Sequence, residues 1–195
     1  MHNTNQIIFS TFFILLFFSC KGQLNKNDLC KKKFKEARDL AYTNSTRQSA
    51  LDSALSLTNE CMQCDSIRKA VVDFKITLLI SMKKYAEGIS FIDSLKGNDF
   101  RFEYKKNLMT KNLKALNYGF KNDTIKKNLV YKEIANDIEH YINKQNISNA
   151  EFKEIYTDLF AVKENYLDAN QINKEVEDLK KLYPEKKDFF DFFKK

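Results

Sequence analysis

The sequence predicts an all-α protein built from antiparallel helical hairpins that stack on one another. Three observations point there. Glycine occurs only at Gly22, Gly88, Gly97 and Gly119, and proline only at Pro184, so the turn residues that a many-stranded sheet requires are missing. Apolar residues recur at intervals of three, four and seven almost everywhere beyond residue 27, which is the spacing of one helix face. The polar links between these stretches are short, and helices joined by short links lie antiparallel. An irregular helical bundle is the alternative arrangement.

The first helix, over about 28–42, places Cys30, Phe34, Ala37 and Ala41 on one face, with Asn27 or Asp28 as its cap. After the polar break TNST a second helix runs over about 46–60 with Ala50, Leu51, Ala54, Leu55 and Leu57. Asp65 or Ser66 opens a third, striped by Ile67, Val71, Phe74, Leu78 and Met82, and a fourth over about 85–96 carries Tyr85, Ile89, Ile92 and Leu95. A longer fifth is expected from near Asp99, with Phe102, Met109, Leu113, Leu116 and Phe120. Asn122 and Asp123 mark the next start, followed by Ile125, Leu129, Ile134, Ile138 and Tyr141. Ser148 and Glu151 have capping-box spacing ahead of Phe152, Tyr156, Leu159 and Tyr166. The last full helix holds Ile172, Val176, Leu179 and Leu182 and stops at Pro184. Helix pairs therefore recur about every 35 to 45 residues, the period of stacked hairpin arrays.

KKYAEGISFIDSL, residues 83–95, resembles the second helix of a tetratricopeptide repeat, with aromatic Tyr85, small Gly88 and packing residues Ile92 and Leu95. SALSL at 53–57 and VEDLKKLYP at 176–184 resemble the end of the same helix. The resemblance implies a solenoid with a concave binding face and no catalytic role.

The leading residues MHNTNQIIFSTFFILLFFSC hold an uncharged apolar run from Ile7 to Phe18, too short to span a bilayer as a helix of about 20 residues. The end of this stretch, a large apolar residue (Phe17), then Ser19 and Cys20, resembles a bacterial lipoprotein signal. That resemblance implies cleavage after residue 19 and acylation of Cys20. Residues 1–19 then form a signal peptide, 20–27 the lipidated cysteine and a short linker, and 28–195 a single helical-repeat domain with a C-terminal capping helix. The expected location is the bacterial cell envelope, lipid-anchored on the outer membrane and facing the periplasm or the cell surface.

The formal net charge of +7 lies wholly beyond residue 19 and is almost all lysine, with arginine only at Arg38, Arg47, Arg68 and Arg101. Nucleic-acid readers concentrate arginine in a patch, so no nucleic-acid partner is expected. Lys31, Lys32, Lys33 and Lys35 cluster close behind the expected anchor, either as a solvated helix face or against anionic head groups.

Cys61 and Cys64 stand three apart in NECMQCDS. Asp65 follows where a covalent haem site needs histidine, and the four ligands of a structural zinc site are lacking. If the turn of the first hairpin centres near residue 44, Cys30 meets the end of the second helix. The favoured reading is a disulfide from Cys30 to Cys61 or Cys64, with free thiols or metal and redox chemistry as alternatives. No metal or other cofactor is expected.

His140 falls late in the sixth helix, where a cation favours the helix end. Carboxylate pairs such as Glu175 with Asp178, or Asp137 with Glu139, read as surface charges beside lysines. In the terminal KKDFFDFFKK, a helix would gather Phe189, Phe190, Phe192 and Phe193 on one side, either as a cap over the last exposed core or as a contact for a partner or membrane. With no catalytic constellation in view, the leading expectation is a membrane-anchored, non-enzymatic scaffold that binds a protein or peptide. The alternatives are an accessory subunit or enzyme acting on envelope polymers, and an immunity-type protein.

Overall fold

The computed structural model of the protein describes residues 26–144 and 147–195. The expected signal segment, Cys20 and most of the linker lie outside the described residues, whereas Lys26 and Asn27 already belong to the first helix. The described residues are all-helical and contain no strand. In chain order the helices are α1 Lys26–Thr43, α2 Gln48–Cys61, α3 Arg68–Ser81, α4 Tyr85–Ser94, α5 Tyr104–Phe120, α6 Thr124–Lys144, α7 Asn149–Lys163, α8 Ala169–Leu182 and the short α9 Lys187–Asp191. Single 3₁₀ turns at Asp65–Ile67, Gly97–Asp99 and Pro184–Lys186 precede α3, α5 and α9.

The helix ends follow local chemistry. α3 and α5 both finish on a left-handed residue, Lys83 at φ 57° and Asn122 at φ 60°. The next N–H reaches back over the turn, from Lys84 to the Leu79 carbonyl at 2.8 Å and from Asp123 to that of Tyr118 at 2.9 Å, so the last carbonyls are satisfied within a tight link. Asp168 and Gln171 exchange side-chain hydrogen bonds as a reciprocal box at the start of α8. The box expected at α7 is only half formed: Ser148 accepts the Glu151 N–H, but the Glu151 carboxylate accepts from the Tyr141 hydroxyl instead.

Helices adjacent in the chain pack on one another, and buried clusters join them. Ala37, Ala41, Leu51, Ala54, Leu55, Phe74 and Leu78 bind α1 and α2 to α3. Val72 and Ile76 of α3 meet Ile92 of α4 and Leu113 of α5. A larger cluster spans α5 to α9, through residues such as Leu108, Ile134, Phe160, Val176 and Phe190. Gly88 is buried where α4 packs on α5; a Cβ there would lie 2.9 Å from Leu113 Cδ1, so a side chain would force the Leu113 side chain to shift.

The fifth helix starts later than expected. Asp99 is buried in the 3₁₀ turn, holds the Arg68 guanidinium at 2.5 Å and accepts the Lys96 N–H at 3.0 Å, and that anchorage keeps 97–103 out of the helix. Tyr166 likewise falls in the turn after α7 rather than on it.

Candidate functional site

Two clefts and a charged cluster involve α1, α3, α5, α6 and α7. Near one end, a shallow cleft between α1 and α3 is lined by Phe34, Arg38, Tyr42, Asp73, Phe74 and Thr77. Near the other, Leu108 and Asn112 of α5, Tyr131 of α6, and Asp158, Ala161 and Asn165 of α7 line a second. Between them lies a charged cluster. Lys105 Nζ sits 2.6 Å from Asp158 and 2.9 Å from Glu154, Arg101 pairs with Glu154 at 2.8 Å, and the Tyr104 hydroxyl donates to Asp158 at 2.7 Å. Burial lowers the Lys105 pKa, but the two carboxylates outweigh it and the net displacement is upward. Burial and then Asp158 push the Tyr104 phenol far above its ordinary value.

Asp73 completes the cluster. Its side chain is open to solvent and forms no ion pair among the described residues. The surrounding protein nevertheless desolvates it enough to raise its pKa, with Lys105 and Arg101 opposing the rise and Glu154 adding to it.

The cysteines resolve one way. Cys30 and Cys64 form a disulfide with a Cα–Cα distance of 6.1 Å, which ties the start of α1 to the link between α2 and α3. Cys61, the other candidate, is left as a buried free thiol whose Sγ lies 3.9 Å from the Cys30 carbonyl oxygen, and burial raises its pKa. Cys61 is the last residue of α2 and Cys64 lies beyond the helix, and both sit with Cys30 and Val71 in one buried cluster.

The terminal aromatics divide. Phe190 is fully buried against Phe152, Tyr156 and Tyr183, Phe193 stacks on Phe160 at 4.5 Å between centroids, and Phe189 is half-buried beside both. Phe192 does not join them; α9 ends at Asp191, and Phe192 points outward at 85% exposure.

His140 is exposed and borders a cavity with Glu103, Asn107, Asp137 and Tyr141 between α5 and α6. Tyr141, hydrogen-bonded to Glu151 and partly desolvated, has its pKa pushed up to about 12. The expectation that Glu139 and Glu175 are plain surface charges needs correction. Together they hold Lys163, a buried lysine that the sequence pattern did not single out, with Glu139 at 2.6 Å and Glu175 closer still. Burial depresses the Lys163 pKa, but the two carboxylates reverse the sign. An open cavity beside it is lined also by Tyr156, Leu179 and Tyr183.

Among the described residues, no group of three His, Cys, Asp or Glu side chains is placed to hold a metal ion, and no helix is long and apolar enough to cross a membrane. Comparison of the chain with protein-family models, with curated proteins and with solved structures gives no match.

Proposed function

We propose that the chain is a lipid-anchored, non-enzymatic binding scaffold of a bacterial cell envelope, whose hairpins stack as a tetratricopeptide-like array. In this reading α1, α3, α5 and α7 form a concave side that receives an extended segment of a protein or peptide. The stacking is supported by the apolar clusters, each shared mainly between neighbouring hairpins. The anchor rests on the sequence of residues 7–20 alone.

The observation that carries the reading is Asp73. An exposed carboxylate without an ion-pair partner among the described residues, set in the cleft between α1 and α3, favours a cationic group from outside the chain. Tyr42 and Thr77 beside it, and Asn112 and Asn165 in the second cleft, offer side chains for a bound backbone. The charges of the central cluster are paired with one another, a pattern suited to recognition more than to acid–base chemistry.

A photocrosslinking residue placed singly at Ala70 or Ala161, both exposed on this side, tests the reading in native membranes. The expected result is one recurrent adduct from both positions, absent from control positions Asp93 and Lys174 and reduced by Asp73→Lys. Equal labelling from all four positions would overturn it.

A further inference from the structure

A cavity of about 420 Å³ opens between α6, α7 and α8, a size within the range of small-molecule sites. It shares no lining residue with either cleft of the proposed groove. The fold leaves room there because α8 meets α7 through side chains. Their backbones scarcely approach one another, whereas the other consecutive helices come together along part of their length. Ile142, Leu159, Leu179 and Leu182 supply apolar wall, and Leu182 is exposed. The rings of Tyr156 and Tyr183 add an aromatic corner, edge to face with centroids 6.1 Å apart.

The charges around this cavity do not balance. Glu139, Glu175 and Asp178 line it against Lys163 alone. Lys163 is 7% exposed and is held by Glu139 and Glu175 together, so its ammonium is already committed. Neither carboxylate has a second cation among the described residues, although each can accept several hydrogen bonds. Asp178 pairs with Lys181 at 3.0 Å, but both side chains are more than half exposed, and a surface pair of that kind contributes little.

We propose that this cavity is a binding site for a small organic cation, an amine that carries an aromatic body. The ammonium group lies among Glu139, Glu175 and Asp178, and the body covers the leucines and the tyrosine corner, where ring meets ring edge to face. Charge and shape decide among the ligands. An anion would meet the excess of carboxylate with no free cation to receive it. A neutral molecule would take water from the carboxylates and return no donor of comparable strength. Among the described residues no three acidic side chains converge on a metal ion, whereas an ammonium with several donors suits carboxylates spread around a wall. A lysine side chain from a partner would bring the charge on a thin stem and leave the aromatic corner open. The site does not depend on the groove or on the N-terminal anchor.

The full chain, with its leucine and isoleucine methyl groups labelled, is titrated with phenethylammonium and followed by NMR. Saturable shifts are expected at Leu159, Leu179 and Leu182 but not at Leu51 or Ile76 in the N-terminal half, with a Kd of about 1 mM or lower for so compact a ligand. Phenethyl alcohol, the neutral counterpart, should bind at least about tenfold more weakly, and the anion phenylacetate should not bind. Butylammonium, which mimics an inserted lysine side chain, should be at least about fivefold weaker than phenethylammonium. Asp178→Asn and Leu182→Gln change exposed positions, so helicity by circular dichroism should hold while each weakens binding about threefold or more. No saturable shift at the cavity methyls up to about 10 mM would overturn the proposal. So would phenylacetate or butylammonium binding as tightly as phenethylammonium, or binding indifferent to the Asp178 and Leu182 changes.

Discussion

The two halves of this protein close their ends by different means. At the N-terminal end the core of α1 to α3 is built mostly from small and aliphatic residues, Ala37, Ala41 and Ala54 among them, with Phe74 its one buried ring, and a covalent bond from Cys30 to Cys64 fastens its edge. At the C-terminal end α7 to α9 meet through an aromatic network of Phe152, Tyr156, Phe160, Tyr183, Phe190 and Phe193, with Lys163 clamped beside it. A row of hairpins that bury their faces mainly against neighbours leaves an uncovered face at each terminus. If the hairpins stack as proposed, one terminal face is closed by a cross-link and the other by buried area.

The largest expected effect comes from removing the aromatic seal. Phe190→Ala or Phe160→Ala, each at a fully buried ring, should cost about 3–5 kcal/mol in urea denaturation. Phe192→Ala should cost close to nothing, which separates the sealing rings from the outward one. Next comes the cross-link. Cys30→Ser with Cys64→Ser releases a loop with a sequence separation of 34, and the chain-entropy relation gives a loss of about 3–4 kcal/mol at 25 °C. Scanning calorimetry with and without dithiothreitol provides the same comparison without mutation.

Lys163→Met leaves Glu139 and Glu175 without their shared cation. Since both carboxylates are partly open to water, about 2 kcal/mol is expected rather than the 3–5 of a fully buried pair, read from the shift in urea midpoint.

Alkali should sharpen the contrast between the halves. Lys105, Lys163, Tyr104 and Tyr156 all lie in the C-terminal half and all have folded-state pKa values above their ordinary ones. Groups of this kind contribute stability in full below their unfolded pKa, about 10, and lose it as pH rises through the folded value. Unfolding at pH 8 and pH 11 should therefore show the C-terminal half weakened more. Asp99, held below its ordinary value first by Arg68, acts in the opposite direction and loses its contribution as pH falls below about 4. The smallest effect is a gain: Lys83→Gly relieves a left-handed residue and should raise stability by about 0.5–1 kcal/mol, measurable as a small rise in Tm.

The helices were legible because each buries one stripe, and a stripe of period 3.6 needs no knowledge of its neighbours. Starts and stops marked by Asp123, Ser148 and Pro184 were legible for the same local reason. What escaped depends on groups distant in sequence. The late start of α5 follows from Arg68 reaching Asp99, and the burial of Lys163 from carboxylates on α6 and α8. Which cysteine joins Cys30 turned on where α2 ends: Cys61 is its last residue and Cys64 lies beyond it. Phe192 keeps a helical backbone yet lies at the edge of the aromatic face, so Phe189, Phe190 and Phe193 turn inward and it does not. Of the candidate site, the sequence had the helices but not their facing sides, so Asp73 and the Lys105 cluster stayed hidden.

Hydrogen exchange followed by mass spectrometry, on the protein with and without reductant, tests the central claim most directly. If the hairpins are stabilised chiefly by their neighbours, breaking the Cys30–Cys64 bond lowers protection in α1 and α2, less in α3 and α4, and leaves α5 to α9 as protected as before. A uniform loss from α1 to α9 would contradict that account, as would no change in α1 and α2.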